Sequence, residues 1–270
     1  MTDFVALNRE FHSQGYLHVK SLIDSLSCER LVGRMRELVY ARAPADRRYT
    51  FDAGEKKHTS GDFFLSSAHK ISFFFDPKAR FTKTGKDSDP FNSLNKVGHA
   101  LHDLCPVFAK FSHQPQFYQL LKALGQRSPQ LVQSMFIFKQ PEFGDEVTAH
   151  QDASFLYTEP ISVIGLWFAL EDADQENGCL WLKKGGHRGP LKNRFIKQHD
   201  KLIFGNNQRV DWPLADFDPL VAKKGDMVVL HGLLPHFSKK NYSHRTRFAY
   251  TIHSIDLAAY YPKNNWLARR

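Results

Sequence analysis

The sequence predicts a mainly β fold, a barrel or sandwich, buttressed by flanking helices on its N-terminal side. Two observations predict it. Beyond Gln130 the chain runs in short stretches of alternating apolar and polar residues, the period of a strand with one buried face. Turn formers separate those stretches: Pro141 with Gly144, Glu176-Asn177-Gly178, Gly185-Gly186 and Lys224-Gly225. The aromatic content of 13%, including 23 Phe, agrees, because aromatic rings suit pleated, half-buried surfaces. No repeat, low-complexity stretch or linker divides the 270 residues. One domain over 1–270 is therefore expected, with helical support over about 1–125 and a β-core over about 129–256.

Taken in order, residues 3–14 predict a short helix, capped by Asp3 and stopped by Gly15. Residues 16–23 alternate as a strand. Ser27 opens a helix through about Ala41, with Leu31, Met35, Leu38 and Val39 on one face. The polar stretch 43–62 reads as a loop. Residues 63–65 and 71–75 read as strands, and 76–92, rich in Lys, Asp, Gly and Pro, as a mobile loop. Helices are expected near 93–104 and 114–124. Strands follow over 131–139, 161–171, 178–183, 226–230 and 247–253.

The formal net charge of +9 favours anionic partners, carboxylates and phosphates among them. There is no long Lys/Arg run and no basic–aromatic track, so nucleic acid is not expected as a partner. Cys28, Cys105 and Cys179 are odd in number, widely spaced and form no C-x-x-C. Neither a zinc knuckle nor a disulfide framework follows, which suits a reducing compartment. Met1-Thr2-Asp3-Phe4 has no charged n-region leading into an apolar stretch, so no signal peptide is expected. No apolar run approaches the roughly 18 residues of a membrane span. Leu267-Ala268-Arg269-Arg270 is not a peroxisomal address of the S-K-L type. The expectation is an intracellular, cytoplasmic monomer.

The chemistry concentrates at His150-Gln151-Asp152. In an extended strand residues i and i+2 share a face. His150 and Asp152 then project together, with Cα atoms about 6.6 Å apart at a rise of about 3.3 Å per residue. Two such donors grip one side of a metal, and a third from a distant strand completes the set. A 2-His-1-carboxylate triad leaves positions open, which suits non-haem iron(II) and oxygen chemistry. An H-x-D alone often arises by chance. Here His236 follows Asp152 by 84 residues and Arg247 lies beyond it. A planar guanidinium pairs bidentately with a carboxylate, so Arg247 is the candidate anchor for an acidic co-substrate.

Five segments together resemble one family. They are Asn95-Lys96-Val97-Gly98-His99-Ala100-Leu101-His102, Gln133-Ser134-Met135-Phe136-Ile137-Phe138-Lys139-Gln140-Pro141, and His150-Gln151-Asp152-Ala153-Ser154-Phe155-Leu156-Tyr157-Thr158-Glu159-Pro160, with Asn177-Gly178-Cys179-Leu180-Trp181 and His231-Gly232. From about Phe11 to Trp266 the chain resembles the phytanoyl-CoA dioxygenase family of iron(II)/2-oxoglutarate oxygenases. The resemblance implies a double-stranded β-helix, a cupin-like jelly roll with the metal at one mouth. It implies His150, Asp152 and His236 as the catalytic iron ligands. His231 is the rival third ligand. The family places an arginine eleven residues after the ligand, which favours His236 and Arg247, with Arg245 the alternative arginine. Lys96, Met135 and Trp167 become the remaining 2-oxoglutarate contacts. By periodicity alone Met135 and Trp167 are core residues, and Lys96 is a solvated residue of a helix. His99 and His102, three apart on that helix, read as structural. The Phe73–Phe75 run reads as core, with a mouth-lining role as its alternative. One departure stands out: Lys184-Gly185-Gly186-His187 replaces the family's Pro-Gly-Ser-His turn.

The implied function is hydroxylation of a small, anionic molecule coupled to decarboxylation of 2-oxoglutarate. The implied cofactors are Fe(II), 2-oxoglutarate and O2, with ascorbate a candidate reductant. A carboxylate at position 152 occupies the place a halide would take, which favours hydroxylation over halogenation. Two alternatives remain: a catalytically weak sensor or scaffold of the same fold, and an oxygenase whose target is a protein or nucleic acid.

Overall fold

The computed structural model describes residues 4–42, 62–78, 89–141, 144–198, 201–205 and 212–267. The expected Asp3 cap, the loop expected over 43–62 except Asp62, the centre of the 76–92 loop and Ala268–Arg270 lie outside them. Helix α1 (Phe4–Gln14) ends at Gly15. The φ of +87° there is open to glycine, and its N–H closes the helix on the Phe11 carbonyl at 2.7 Å. Strand β1 (Tyr16–Val19) and helix α2 (Ser25–Arg42) follow. The face of α2 bearing Leu31, Met35, Leu38 and Val39 is buried, as its spacing predicts. Next come α3 (Asp62–Ser66), β2 (Ile71–Phe75) and β3 (Leu94–His99). Three short helices complete the first half: α4 (Leu101–Leu104), α5 (Pro106–Ser112) and α6 (Pro115–Ala123).

The β-core then runs through β4 (Pro129–Lys139), β5 (Val147–His150), β6 (Ile164–Ala169) and β7 (Leu180–Leu182). A hairpin, β8 (Phe195–Gln198) with β9 (Lys201–Phe204), stands apart. The chain closes through β10 (Asp218–Leu220), β11 (Met227–His231), β12 (His236–Ser238) and β13 (Arg247–Asp256). A seven-stranded antiparallel sheet has the order β1-β11-β6-β13-β4-β3-β2, and a four-stranded sheet the order β10-β7-β12-β5. The two form the jelly roll that the family resemblance implies.

Strand β13 shows how alternation positions the site. Phe248, Tyr250 and Ile252 face the helices and join a core with Leu31, Met35, Phe108 and Phe111. Ala249, on the opposite face, packs between the sheets with Trp167, Val228, Leu180 and Leu182. Arg247, Thr251 and His253 share that inward face, because side chains alternate.

Some expectations fail. Residues 63–65 are helical in α3, not a strand. Residues 94–99 form β3, paired with β2 on one side and β4 on the other, rather than the start of a helix over 93–104. Lys96 is therefore a strand residue, and His99 and His102 do not share a helix face. The imidazole of His99 bonds Ser67 at 2.9 Å and that of His102 bonds Ser134 at 2.7 Å, which bears out their structural reading. Phe73 and Phe75 join the main core, while Phe74 points the other way, against Phe64 and His99. No described helix is long and apolar enough to cross a membrane.

Candidate metal centre and co-substrate pocket

His150 closes β5, and Asp152 opens a 3-10 turn over Asp152–Ser154. Asp152 is thus not in a strand, but Gln151 between them is extended, at φ −117° and ψ 133°, so the alternation still turns both side chains the same way. Gln151 points oppositely and anchors the segment. Its amide donates to the Leu233 carbonyl at 2.8 Å and its oxygen accepts from the Lys192 N–H at 2.9 Å. Strand β12 pairs with β5 so that His236 lies directly across from His150. The ring centroids are 4.3 Å apart.

The three side chains converge. His150 Nε2 and His236 Nε2 each lie 3.7 Å from Asp152 Oδ1, and all three donor atoms fall within 4.8 Å of one another. Nδ1 of His150 bonds the Thr148 carbonyl at 2.8 Å and Nδ1 of His236 bonds the Leu234 carbonyl at 3.0 Å. A carbonyl only accepts, so each Nδ1 carries the hydrogen and each Nε2 presents a lone pair to the centre. Burial, then the neighbouring His236, pushes the His150 imidazole down to about 4, which keeps it neutral. Burial opposes ionisation of Asp152, yet His253, His236 and His150 outweigh it and hold its carboxyl well below the usual range.

Sequence reasoning missed His253. Its Nε2 lies 3.4 Å from Asp152 Oδ2, reaching across from the seven-stranded sheet. Gly165, its partner on β6, leaves the room: a Cβ there would stand 2.9 Å from Asp152 Oδ2. The inward face of β13 was the available signal, since a polar residue there faces the other sheet rather than solvent. His231 lies elsewhere, 5.1 Å ring to ring from His187, with Nδ1 accepting the Leu233 N–H. It is not grouped with His150 and Asp152.

Arg247 is 2% exposed, and among the described residues its Nε and Nη1 have no hydrogen-bond partner. Its guanidinium lies 5.7 Å from the Trp167 ring. Burial lowers it to about 10, still a cation near neutral pH. Arg245 precedes the strand, is exposed, and pairs with Asp174 at 2.6 Å. Trp167 and Met135 flank Thr251 in register on β6 and β4, so they line the same face as Arg247. Lys96 sits two strands from β13, its Nζ 5.3 and 5.2 Å from the Phe64 and Phe74 rings, and burial lowers it to about 7. Where the family has its Pro-Gly-Ser-His turn, this chain forms a 3-10 turn over Gly186–Arg188. Gly185 takes φ +73°, and His187 bonds the His12 carbonyl at 3.0 Å.

The family model for phytanoyl-CoA dioxygenase matches residues 11–249. A phytanoyl-CoA dioxygenase of Arabidopsis thaliana is 41% identical over 261 residues, covering 96% of this chain and 91% of the relative. Phytanoyl-CoA dioxygenase domain-containing protein 1 of Bos taurus is 41% identical over 270 residues, covering 96% and 92%. Among solved structures, apo EctD from S. alaskensis superposes with a TM-score of 0.68 at 14% identity, over 100% of this chain and 82% of that one. The epimerase SnoN, solved with Fe3+, alpha ketoglutarate and nogalamycin RO, gives 0.63 at 15% identity, over 96% and 86%. The fold is shared with these structures, and the sequence match over nearly the whole length decides the family. The chain belongs to the phytanoyl-CoA dioxygenase family.

Proposed function

We propose that this chain is a hydroxylase that couples decarboxylation of 2-oxoglutarate to succinate with insertion of one oxygen atom into a small-molecule substrate. The single observation that carries the reading is the convergence of His150 Nε2, His236 Nε2 and Asp152 Oδ1 within 4.8 Å. Two imidazoles and one carboxylate form a donor set that fits iron(II). The unpartnered donors of buried Arg247 fit the distal carboxylate of 2-oxoglutarate, because a guanidinium left unpaired in the interior is costly. Iron and 2-oxoglutarate, when bound, would supply oxygen activation and its electrons.

The chain's own residues do the rest. Asp152 would ligate through Oδ1, leaving no place for a halide, which supports hydroxylation. Its other oxygen lies 3.4 Å from His253 Nε2. Trp167 and Met135 would wall the co-substrate, and Lys96 would add a donor of low proton affinity at its rim. Residues 1–270 would act as one unit, as a monomer. An acyl-CoA is the first substrate class to try, from the relatives' name and the +9 charge.

The test is succinate formation from 2-oxoglutarate by purified protein, with and without iron(II) and ascorbate, before any substrate is added. Iron-dependent succinate supports the reading and permits a metabolite screen with the same readout. Iron and 2-oxoglutarate binding with no succinate, even across acyl-CoAs and that screen, would favour a sensor.

A further inference from the structure

Next to Arg247 the fold buries a second cation. Lys139 is the register partner of Arg247 on the neighbouring strand, so both side chains share the inward face. Each is 2% exposed. Among the described residues neither forms an ion pair with a carboxylate. Lys139 Nζ instead donates to Ser238 Oγ at 2.8 Å, to the Asp145 carbonyl at 2.9 Å and to the Lys239 carbonyl at 2.5 Å. Gly178, at φ +86°, makes room for its stem: a Cβ there would lie 2.5 Å from Lys139 Cδ.

The arrangement carries an electrostatic cost that its hydrogen bonds do not remove. Like charges directly across a sheet repel, and burial removes the solvent that would screen them. A buried ammonium among neutral acceptors is also costlier than an apolar side chain of its size. Burial and then Arg247 press Lys139 toward losing its proton, and the nearby Glu146 and Asp145 only partly offset them. An anion entering between or beside the two charges would relieve their repulsion.

Ser238 ties the pair to the metal ligands. It follows His236 by two positions on β12, so the two share a face. Because Ser238 Oγ accepts from Lys139, its own hydrogen is free to point toward an incoming acceptor.

We infer that Lys139 is a positioning residue of the co-substrate pocket, which with Arg247 selects a 2-oxo acid bearing a second, distal carboxylate. It acts through the field of its charge and through Ser238, since all three of its own hydrogens are already engaged. The inference rests on the co-substrate reading above.

The test uses the full chain, loaded with iron(II) without oxygen and titrated calorimetrically. The ligands are 2-oxoglutarate and 2-oxopentanoate, which keeps the 2-oxo acid head and replaces the distal carboxylate by methyl. Lys139→Met should weaken 2-oxoglutarate at least tenfold and leave 2-oxopentanoate within twofold. Lys139→Arg should recover most of the loss, and Lys139→Gln serves if the Met variant does not fold. Equal weakening of both ligands, or 2-oxoglutarate affinity within twofold of the parent, overturns the inference. Arg247→Met separates the two levels. If it too leaves 2-oxoglutarate binding unchanged, the co-substrate reading itself falls; if only Lys139→Met is silent, the reading stands and Lys139 has no part in it.

Discussion

His253 Nε2 stands 3.4 Å from Asp152 Oδ2, the carboxylate oxygen other than the one shared by His150 and His236. The contact reaches from the large sheet to the ligand carboxylate and would help orient it toward a bound metal. Replacing His253 by Leu frees the carboxylate to rotate. Iron affinity should fall about 10–100-fold, the usual cost of losing a partner that orients a ligand. Competition with a calibrated chelator measures it, and unchanged affinity refutes the orienting role.

Gly165→Ala tests the same contact by crowding. The new methyl would sit 2.9 Å from Asp152 Oδ2 and 3.5 Å from the His253 ring. Asp152 must move, so metal affinity should drop at least tenfold while the secondary structure persists by circular dichroism.

Asp152→Ala should abolish iron binding in a folded chain. Arg247→Ala should raise the 2-oxoglutarate requirement about 30-fold or more, from the roughly 2–5 kcal/mol lost when one partner of a buried charge pair is truncated. Arg245→Ala removes exposed pairs with Asp174 and Glu176, which solvent screens, and should leave that requirement unchanged. Steady-state kinetics in 2-oxoglutarate distinguish the two arginines.

Acid should weaken the metal-free protein in a defined window. His150 titrates near 4 when folded and near its ordinary 6.5 when unfolded, because burial and His236 disfavour its charge. Between those values the unfolded chain binds the extra proton, so stability rises with pH. The contribution is complete above about 6.5 and is lost as pH falls toward 4. Thermal midpoints measured across that range should decline, and less steeply in His150→Phe. Parallel declines in the two proteins would contradict the assignment.

Phe168 packs its ring against Phe111, Phe117 and Tyr250, with centroids at 5.0, 5.2 and 6.3 Å. Phe168→Ala should cost about 3–5 kcal/mol, read by urea denaturation.

The long strands and the ligand set were legible because their signals are physical and local. Alternation over 131–139 and 247–253 marks most of β4 and β13, and the H-x-D spacing survives even though Asp152 leaves the strand. Strand β3 was not legible. Leu94, Val97, Leu101 and Leu104 recur at spacings of three and four, which imitates a helix, but pairing with β2 and β4 claims residues 94–99. The 63–65 run is too short for periodicity to choose helix or strand. Strands β5, β10 and β12, of three or four residues, show too little alternation to be seen. His253 and Lys139 escaped notice because alternation separates two faces of a strand without telling solvent from a polar cavity.

Tyr16 of β1 pairs with Leu230 of β11, more than two hundred residues further along. At a synthesis rate of about 5–20 residues per second, the ribosome needs roughly 10–40 s to make that partner. Throughout this interval the first strand of the large sheet has no place to go, and the backbone groups that will bond β11 stay open. Every newborn copy therefore passes through a period when its opening segment is adhesive, the kind of stretch that chaperones hold. Synthesis at low temperature, or with such helpers in excess, should raise the yield of active protein more than any change to the metal site.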